Sequence, residues 1–115
     1  MTWSFKGKTQ ICETPIAEIQ MGIYHQIHAE MSTSNALYLY PNGFGVGNYT
    51  LDSNITLNSA LLVYEQSIDS VMFLILSNGT INITKNVDSR ITGDFNMLTD
   101  QGNTVTGTFE NVPIQ

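Results

Sequence analysis

The sequence has few charged residues and almost no basic ones. Of 115 residues, only four are Lys or Arg and ten are Asp or Glu, so the formal net charge is −6. A chain with so little positive charge lacks the cationic surface that holds phosphates, which excludes nucleic acid and anionic membranes as expected partners. Charged residues make up 12% of the chain, whereas an average domain has roughly 25%. Asn, Thr and Ser fill the polar positions, a composition typical of secreted or cell-surface β proteins.

Cysteine and long apolar runs are also scarce. Cys12 is the only cysteine, so the chain forms no intramolecular disulfide and no thiolate metal cluster, and we interpret it as a small buried hydrophobe. The longest purely apolar run, residues 71–76, is far shorter than the roughly 20 residues that span a bilayer as a helix, so we predict no transmembrane segment. The first ten residues lack the apolar core of a signal peptide. The length predicts a single domain, residues 1–115.

Apolar and polar residues alternate with a period of two, and no window shows a helical apolar stripe. The pattern predicts an all-β fold: a single antiparallel domain of about nine or ten strands in sequential hairpins, forming a two-sheet sandwich or a flattened barrel. The segment from Glu13 to Gln20 is the only one with the pattern of a helical turn, and residues 41–47 form a glycine-rich loop that we expect to be mobile. The predicted strands are residues 2–6, 8–12, 23–31, 36–40, 47–51, 60–66, 71–77, 80–85, 90–99 and 103–112.

Two turns permit a prediction of register. Asn78-Gly79 suits the two positive φ values of a type I′ hairpin between the strands on either side, with Leu76 opposite Ile81. Around Asp100-Gln101-Gly102, a two-residue loop would place the apolar face of one strand against threonines of the other. A three-residue loop with Gly102 as a G1 bulge instead pairs the apolar residues of one strand with the apolar face of the other.

The three-residue loop explains why "ITGDF" and "VTGTF" resemble each other. It places Phe95 opposite Gly107 and Phe109 opposite Gly93. A strand glycine exposes backbone, and an aromatic ring on the neighbouring strand covers it. The repeat therefore predicts strand pairing and gives no indication of a ligand site.

Several segments together resemble a known but uncharacterised family of small proteins from Gram-negative bacteria. They are "TWSFKGK", "GNYTL", "GTINITK", "ITGDFNM" and "VTGTFENV", in this order along most of the chain. Members of that family often carry an export or lipoprotein signal before a single β domain. The resemblance implies an exported, periplasmic or surface-associated domain with a candidate lipid anchor in its precursor, no established activity and no catalytic residues to transfer. This chain lacks the signal and the lipobox cysteine, since Cys12 lies inside the domain, and a cytoplasmic location is the alternative.

No residues are predicted to be catalytic, cofactor-binding or metal-binding. His25, His28 and Glu30 form the only cluster that resembles a metal site, but on a strand His28 and Glu30 share one face while His25 lies on the other. The ten carboxylates are scattered. Hydrolase activity would need two close carboxylates in a cleft, or His28 with an acidic partner.

Three aromatic residues are the candidate ligand or partner surface. Tyr38 and Tyr40 share one face of a short strand that leads into the glycine-rich loop containing Phe44. Exposed aromatics beside a polar loop stack on sugars or anchor a partner, although a small β domain also needs such residues in its core.

The expected function is a non-enzymatic binding or structural module of the cell envelope, with a glycan, a small apolar ligand or a protein as partner. One alternative is a lipocalin-like barrel that encloses a small apolar ligand, which requires an interior apolar cavity. A hydrolase is the other alternative.

Overall fold

The computed structural model describes residues 1–52 and 58–115, and these residues form eleven β strands. None of them lies in a helix long and apolar enough to cross a membrane. The strands are β1 (Thr2–Phe5), β2 (Lys8–Ile11), β3 (Ile16–Gln20), β4 (Tyr24–Ser32), β5 (Asn35–Tyr40), β6 (Gly47–Thr50), β7 (Ser59–Ser67), β8 (Ser70–Leu76), β9 (Asn78–Val87), β10 (Arg90–Leu98) and β11 (Thr104–Pro113).

The strands form two antiparallel sheets. One has six strands in the order β2-β1-β11-β10-β9-β6, and the other has five in the order β3-β4-β5-β7-β8. Consecutive strands pair in most places, and the chain crosses from one sheet to the other between β2 and β3, on both sides of β6, and between β8 and β9. The sheets are not closed into a barrel. The all-β prediction is confirmed, and of its two alternatives the sandwich is the one observed.

The core lies between the two sheets and follows from the alternation of side chains along each strand. Leu37, Leu39 and Leu62 of the five-stranded sheet are fully buried, as are Ile81 and Met97 of the six-stranded sheet. All belong to one cluster of buried residues. Because each sheet buries one face in this cluster, its other face is directed to solvent.

The prediction of a helical turn within residues 13–20 is wrong, since Ile16–Gln20 form strand β3. This segment pairs with β4, with Ala17 opposite Ile27, and both of these side chains are fully buried. A segment this short has little intrinsic preference, so burial of Ala17 against the sheet decides its conformation. Strand β3 also raises the number of strands above the nine or ten that were predicted.

The prediction of a hairpin at Asn78-Gly79 is also wrong, because β8 and β9 belong to different sheets. Gly79 lies within β9 opposite Met97, and it has a φ of +124°. A Cβ at this position would overlap the backbone of Asn96 and Met97, so the glycine permits a close approach of two strands. The predicted partners Leu76 and Ile81 are both buried, but they enter the core from opposite sheets.

The predicted register of the β10–β11 hairpin is confirmed. Phe95 lies opposite Gly107 and Phe109 opposite Gly93. The three-residue turn is closed by a hydrogen bond of 2.8 Å from the Thr99 N–H to the Asn103 carbonyl, and Gly102 has a φ of +82°. Turn chemistry and face pattern agree here, which is why the register could be read from the sequence.

Candidate functional site

The solvent side of the five-stranded sheet, which we call the outer face, carries the candidate site. Its side chains alternate along each strand with the buried residues of the core. Strand pairing aligns them in rows across the sheet. One row consists of Ile16, His28, Tyr38, Leu61 and Ile75, and the next consists of Glu30, Ala36, Val63 and Phe73.

Tyr38 and Tyr40 lie on the outer face, both partly exposed, as the alternation predicted. Each tyrosine hydroxyl is bonded within this face. The Tyr38 hydroxyl donates to Glu30 Oε1 at 2.9 Å, and the Tyr40 hydroxyl accepts a bond of 2.9 Å from Nε2 of the buried Gln26. The Tyr38 ring is parallel to that of His28, with the centroids 6.0 Å apart. These contacts fix the two tyrosines in position.

The local environment raises the pKa of Tyr38 to about 12. Burial is the largest cause, because it disfavours the phenolate, and the hydrogen bond to the Glu30 carboxylate together with its negative charge adds to the effect. Tyr38 therefore stays a neutral donor over the whole physiological range of pH.

We expect Glu30→Gln to lower the pKa of Tyr38 toward its ordinary value of 10.0, since the charge of the acceptor is removed while the burial remains. Between pH 10.0 and about 12 the unfolded chain has released a proton that the folded chain retains, so the stability supplied by this group falls as the pH rises through that range. NMR titration of the tyrosine ring carbons measures the change. Glu18→Gln, on the same face, is the control and should leave Tyr38 unchanged. Identical titrations of Tyr38 in wild type and E30Q would contradict the assignment.

Phe44 does not join the two tyrosines. It is buried in the core, where its ring packs edge-on against His25 with the centroids 4.8 Å apart. The loop around it is held by hydrogen bonds from Asn86 Nδ2 to the Phe44 carbonyl at 2.9 Å and from the Tyr49 hydroxyl to the Gly45 carbonyl at 2.7 Å. The glycine-rich loop is thus anchored to the sandwich and does not present Phe44 to a partner.

Apolar side chains occupy the half of the outer face formed by β7 and β8. Phe73 is 65% exposed, Ile75 is 62% exposed and Val71 is 38% exposed. They lie opposite Val63, Leu61 and Glu65, respectively, on the neighbouring strand. An apolar surface of this kind on a sheet face is unusual for a protein without partners.

Two depressions open at the outer face, and Tyr40 and Leu61, which we call the ridge, line both of them. One has a volume of about 500 Å³ and, in addition to the ridge, its lining includes the mainly apolar side chains Ile23, Tyr24, Pro41 and Ile75 and the polar residues His25, Asn42 and Ser59. The other, of about 560 Å³, is lined by Met31, Tyr38, Val63 and Phe73 in addition to the ridge. Both are open to solvent and mainly apolar, so they suit side chains of a partner better than an enclosed small molecule.

No family model, curated protein or solved structure matches this chain. The resemblance to exported bacterial β domains therefore remains a prediction, and the site must be interpreted from its own geometry.

His28 has acidic neighbours, which is the arrangement that hydrolase activity would require. Its Nε2 lies 3.5 Å from Glu18 Oε1 and its Nδ1 lies 3.7 Å from Glu30 Oε1. Each ring nitrogen thus has a carboxylate nearby, but Nε2 has no hydrogen-bond partner within residues 1–52 and 58–115. No hydroxyl or thiol in these ranges is hydrogen-bonded to His28 as a nucleophile would be. The arrangement orients the ring beside Tyr38 and does not assemble a nucleophile with its base.

The three residues of the metal-like cluster are separated as the strand geometry predicted. His25 packs on Phe44 inside the sandwich, while His28 and Glu30 lie on the outer face. Across the part of the chain that the structure describes, no group of three or more His, Cys, Asp or Glu side chains is arranged to hold a metal ion.

The sequence prediction missed the apolar half of this site. Strand β8, "SVMFLIL", is apolar on both faces, and such a strand is normally covered on both sides. Here only one face is covered, which leaves Val71, Phe73 and Ile75 exposed. The apolar residues on both faces of β8 were the signal in the sequence that could have identified this surface. They indicate a surface that a partner covers.

Proposed function

We propose that this chain is a non-enzymatic binding module that holds a protein segment on the outer face of its five-stranded sheet. The observation that carries the proposal is the pair of mainly apolar depressions that are both lined by the ridge residues Tyr40 and Leu61. Each depression can accept one bulky apolar side chain of a partner.

Charge on this sheet indicates the chemistry of the partner. The five described strands of the sheet contain Glu18, Glu30 and Glu65 and no lysine or arginine. The four basic residues of the chain all lie on the six-stranded sheet or its turns. An apolar surface bordered by carboxylates complements a segment that combines bulky apolar residues with lysine or arginine.

A protein segment fits this surface better than the other partners considered. A sugar stacks on an open ring face, but the Tyr38 ring lies alongside His28 and both tyrosine hydroxyls are already bonded. A lipocalin-like ligand requires a closed barrel, and here the two sheets remain open at their edges.

A location at the cell envelope is part of the same proposal. It is supported by the resemblance to exported bacterial β domains and by a surface rich in Asn, Thr and Ser. On the six-stranded sheet, solvent-facing positions such as Ser4, Thr106 and Asn96 are aligned across neighbouring strands. A polar face of this kind contrasts with the outer face and suits exposure to solvent.

Selection of peptides from a phage-displayed random library against the immobilised domain tests the proposed function. We expect the selected peptides to combine bulky apolar residues with lysine or arginine, because the depressions are mainly apolar, Glu30 lines one of them, and the strands of this sheet contain no basic residue. The double variant Ile23→Glu with Met31→Glu should bind these peptides at least about tenfold more weakly. Each substitution places a charge in one of the two depressions, and both side chains are exposed, so the core is unaffected.

Thr108→Glu is the matched control, since Thr108 is exposed on the solvent side of the six-stranded sheet. It should bind the selected peptides like the wild type. Peptides that bind the double variant and the wild type equally well would show that the outer face is not the binding surface, and peptides without basic residues would refute the charge argument.

A further inference from the structure

Strand β8 forms one edge of the five-stranded sheet. It pairs with β7 on one side, and no strand among residues 1–52 and 58–115 pairs with its other side. In an antiparallel strand, about half of the backbone N–H and C=O groups are directed to each side. The free side of β8 therefore presents a row of donors and acceptors to any strand that approaches it.

The other three edge strands have features that oppose pairing. Strands β2 and β6 have only four residues each, and β2 includes the charged Lys8. Strand β3 contains Glu18, and its free side is partly covered by the C-terminal residues, since the Gln115 N–H donates to the Ala17 carbonyl at 2.7 Å. Short strands, charges and covering segments are the usual means by which proteins protect sheet edges.

Strand β8 has none of these protections within residues 1–52 and 58–115. Its seven residues, "SVMFLIL", contain no charged residue, no proline and no glycine. The side chains of Val71, Phe73 and Ile75 are exposed along it. We propose that β8 pairs in antiparallel orientation with β8 of a second copy of this chain, so that two five-stranded sheets become one continuous sheet across a two-fold axis.

The sequence of β8 complements itself in this arrangement. A seven-residue strand overlaps its copy completely only when its middle residue, Phe73, lies on the axis. Phe73 then faces Phe73 of the second copy, and Val71 faces Ile75 on the same side of the sheet. On the other side, Met72 faces Leu74. At the ends of the strands Ser70 faces Leu76, and all the other pairs are apolar, which favours this register.

The acidic residue nearest to β8 along the chain does not oppose this pairing, although the chain has a net charge of −6. Asp69 is the acidic residue in the turn that precedes β8, four positions from Phe73. In the paired register the two Asp69 residues are eight positions apart, or about 27 Å along the strands. This distance exceeds the Debye length of about 8 Å at physiological ionic strength, so their repulsion is screened.

Edge pairing leaves the outer face open and joins the outer faces of the two copies side by side. The inference therefore goes beyond the proposed function and does not depend on it. A seven-residue strand contributes a small interface, so we expect a reversible dimer with a dissociation constant in the micromolar range.

Sedimentation velocity of residues 1–115 over a series of concentrations tests the dimer. Wild type should change reversibly from monomer to dimer as its concentration rises. Phe73→Lys and Phe73→Glu should each dimerise at least about tenfold more weakly, because each places like charges opposite one another on the axis. An equimolar mixture of F73K and F73E should dimerise again, because the charges opposite each other are then of opposite sign.

Ile11→Lys is the matched control, since Ile11 is an exposed apolar residue on edge strand β2 and its replacement should leave dimerisation unchanged. Hydrogen exchange of the wild type provides a measurement that needs no variant: the β8 amides should exchange more slowly at high than at low concentration. A wild type that is monomeric throughout, an F73K variant that dimerises normally, a mixture that stays monomeric, or β8 exchange independent of concentration would each overturn the proposal.

The double variant I23E/M31E separates the two proposals. It should lose peptide binding and dimerise like the wild type, because neither residue lies on β8. A wild type that binds selected peptides but remains monomeric would overturn the dimer alone. A wild type that dimerises but selects no peptides of the expected kind would overturn the proposed function alone.

Discussion

Gly107→Ala is expected to destabilise the domain by about 3 kcal/mol or more, and to lower Tm by roughly 10 °C or more. Gly107 lies in β11, which is paired on both sides, with Trp3 of β1 and Phe95 of β10 as its neighbours. A Cβ there would overlap the Thr2 carbonyl oxygen and would lie 2.7 Å from Phe95 Cζ. Because hydrogen bonds fix the strand spacing, the backbone cannot move away without loss of pairing.

Gly22→Ala is the control for this substitution. Gly22 has a φ of +73° in the turn between β3 and β4, and nothing lies within 4 Å of an added Cβ. Its replacement should lower the free energy of unfolding by only about 1 kcal/mol, which is the strain of a positive φ in a residue with a Cβ. Urea denaturation of both variants measures the difference. Equal losses of stability in G107A and G22A would mean that the close strand approach at Gly107 is not what requires glycine.

Phe109→Ala is expected to lower the free energy of unfolding by about 3 to 5 kcal/mol. The ring is buried, covers Gly93 on the neighbouring strand, and is nearly parallel to the Phe95 ring at a centroid distance of 6.4 Å. The substitution would leave a cavity between the sheets and expose the backbone at Gly93, so two favourable contributions are lost together.

Phe73→Ala is the matched control, since it removes the same side chain from an exposed position. Measured at a concentration where the chain is monomeric, it should change the free energy of unfolding by no more than about 0.5 kcal/mol. Similar losses for F109A and F73A would contradict the assignment of Phe109 to the core.

The same side chain has different roles at Phe109 and Phe73. Both phenylalanines lie on strands with alternating side chains, but the first is covered by the opposite sheet and the second is directed to solvent. We expect Phe109 to stabilise the fold and Phe73 to contribute to association, so substitutions at the two positions should separate stability from binding.

The candidate site could be predicted only in part. Alternation along β5 placed Tyr38 and Tyr40 on the same face, because the period of two is a local property of an extended chain. The burial of Phe44 could not be read in this way, since it depends on packing against His25, which is distant in the sequence. Exposure of Phe73 and Ile75 likewise depends on which faces the sandwich covers.

The sequence by itself determined the all-β class and the β10–β11 hairpin, where Gly102 sets the turn and each phenylalanine covers a glycine. Such features rest on interactions between residues close together in the chain. Only the tertiary structure decided that Asn78-Gly79 begins a strand of the other sheet and that, among the described strands, the apolar edge strand β8 pairs on one side only. These outcomes depend on competition among distant strands for partners, and a local pattern of apolar residues is equally compatible with several of them.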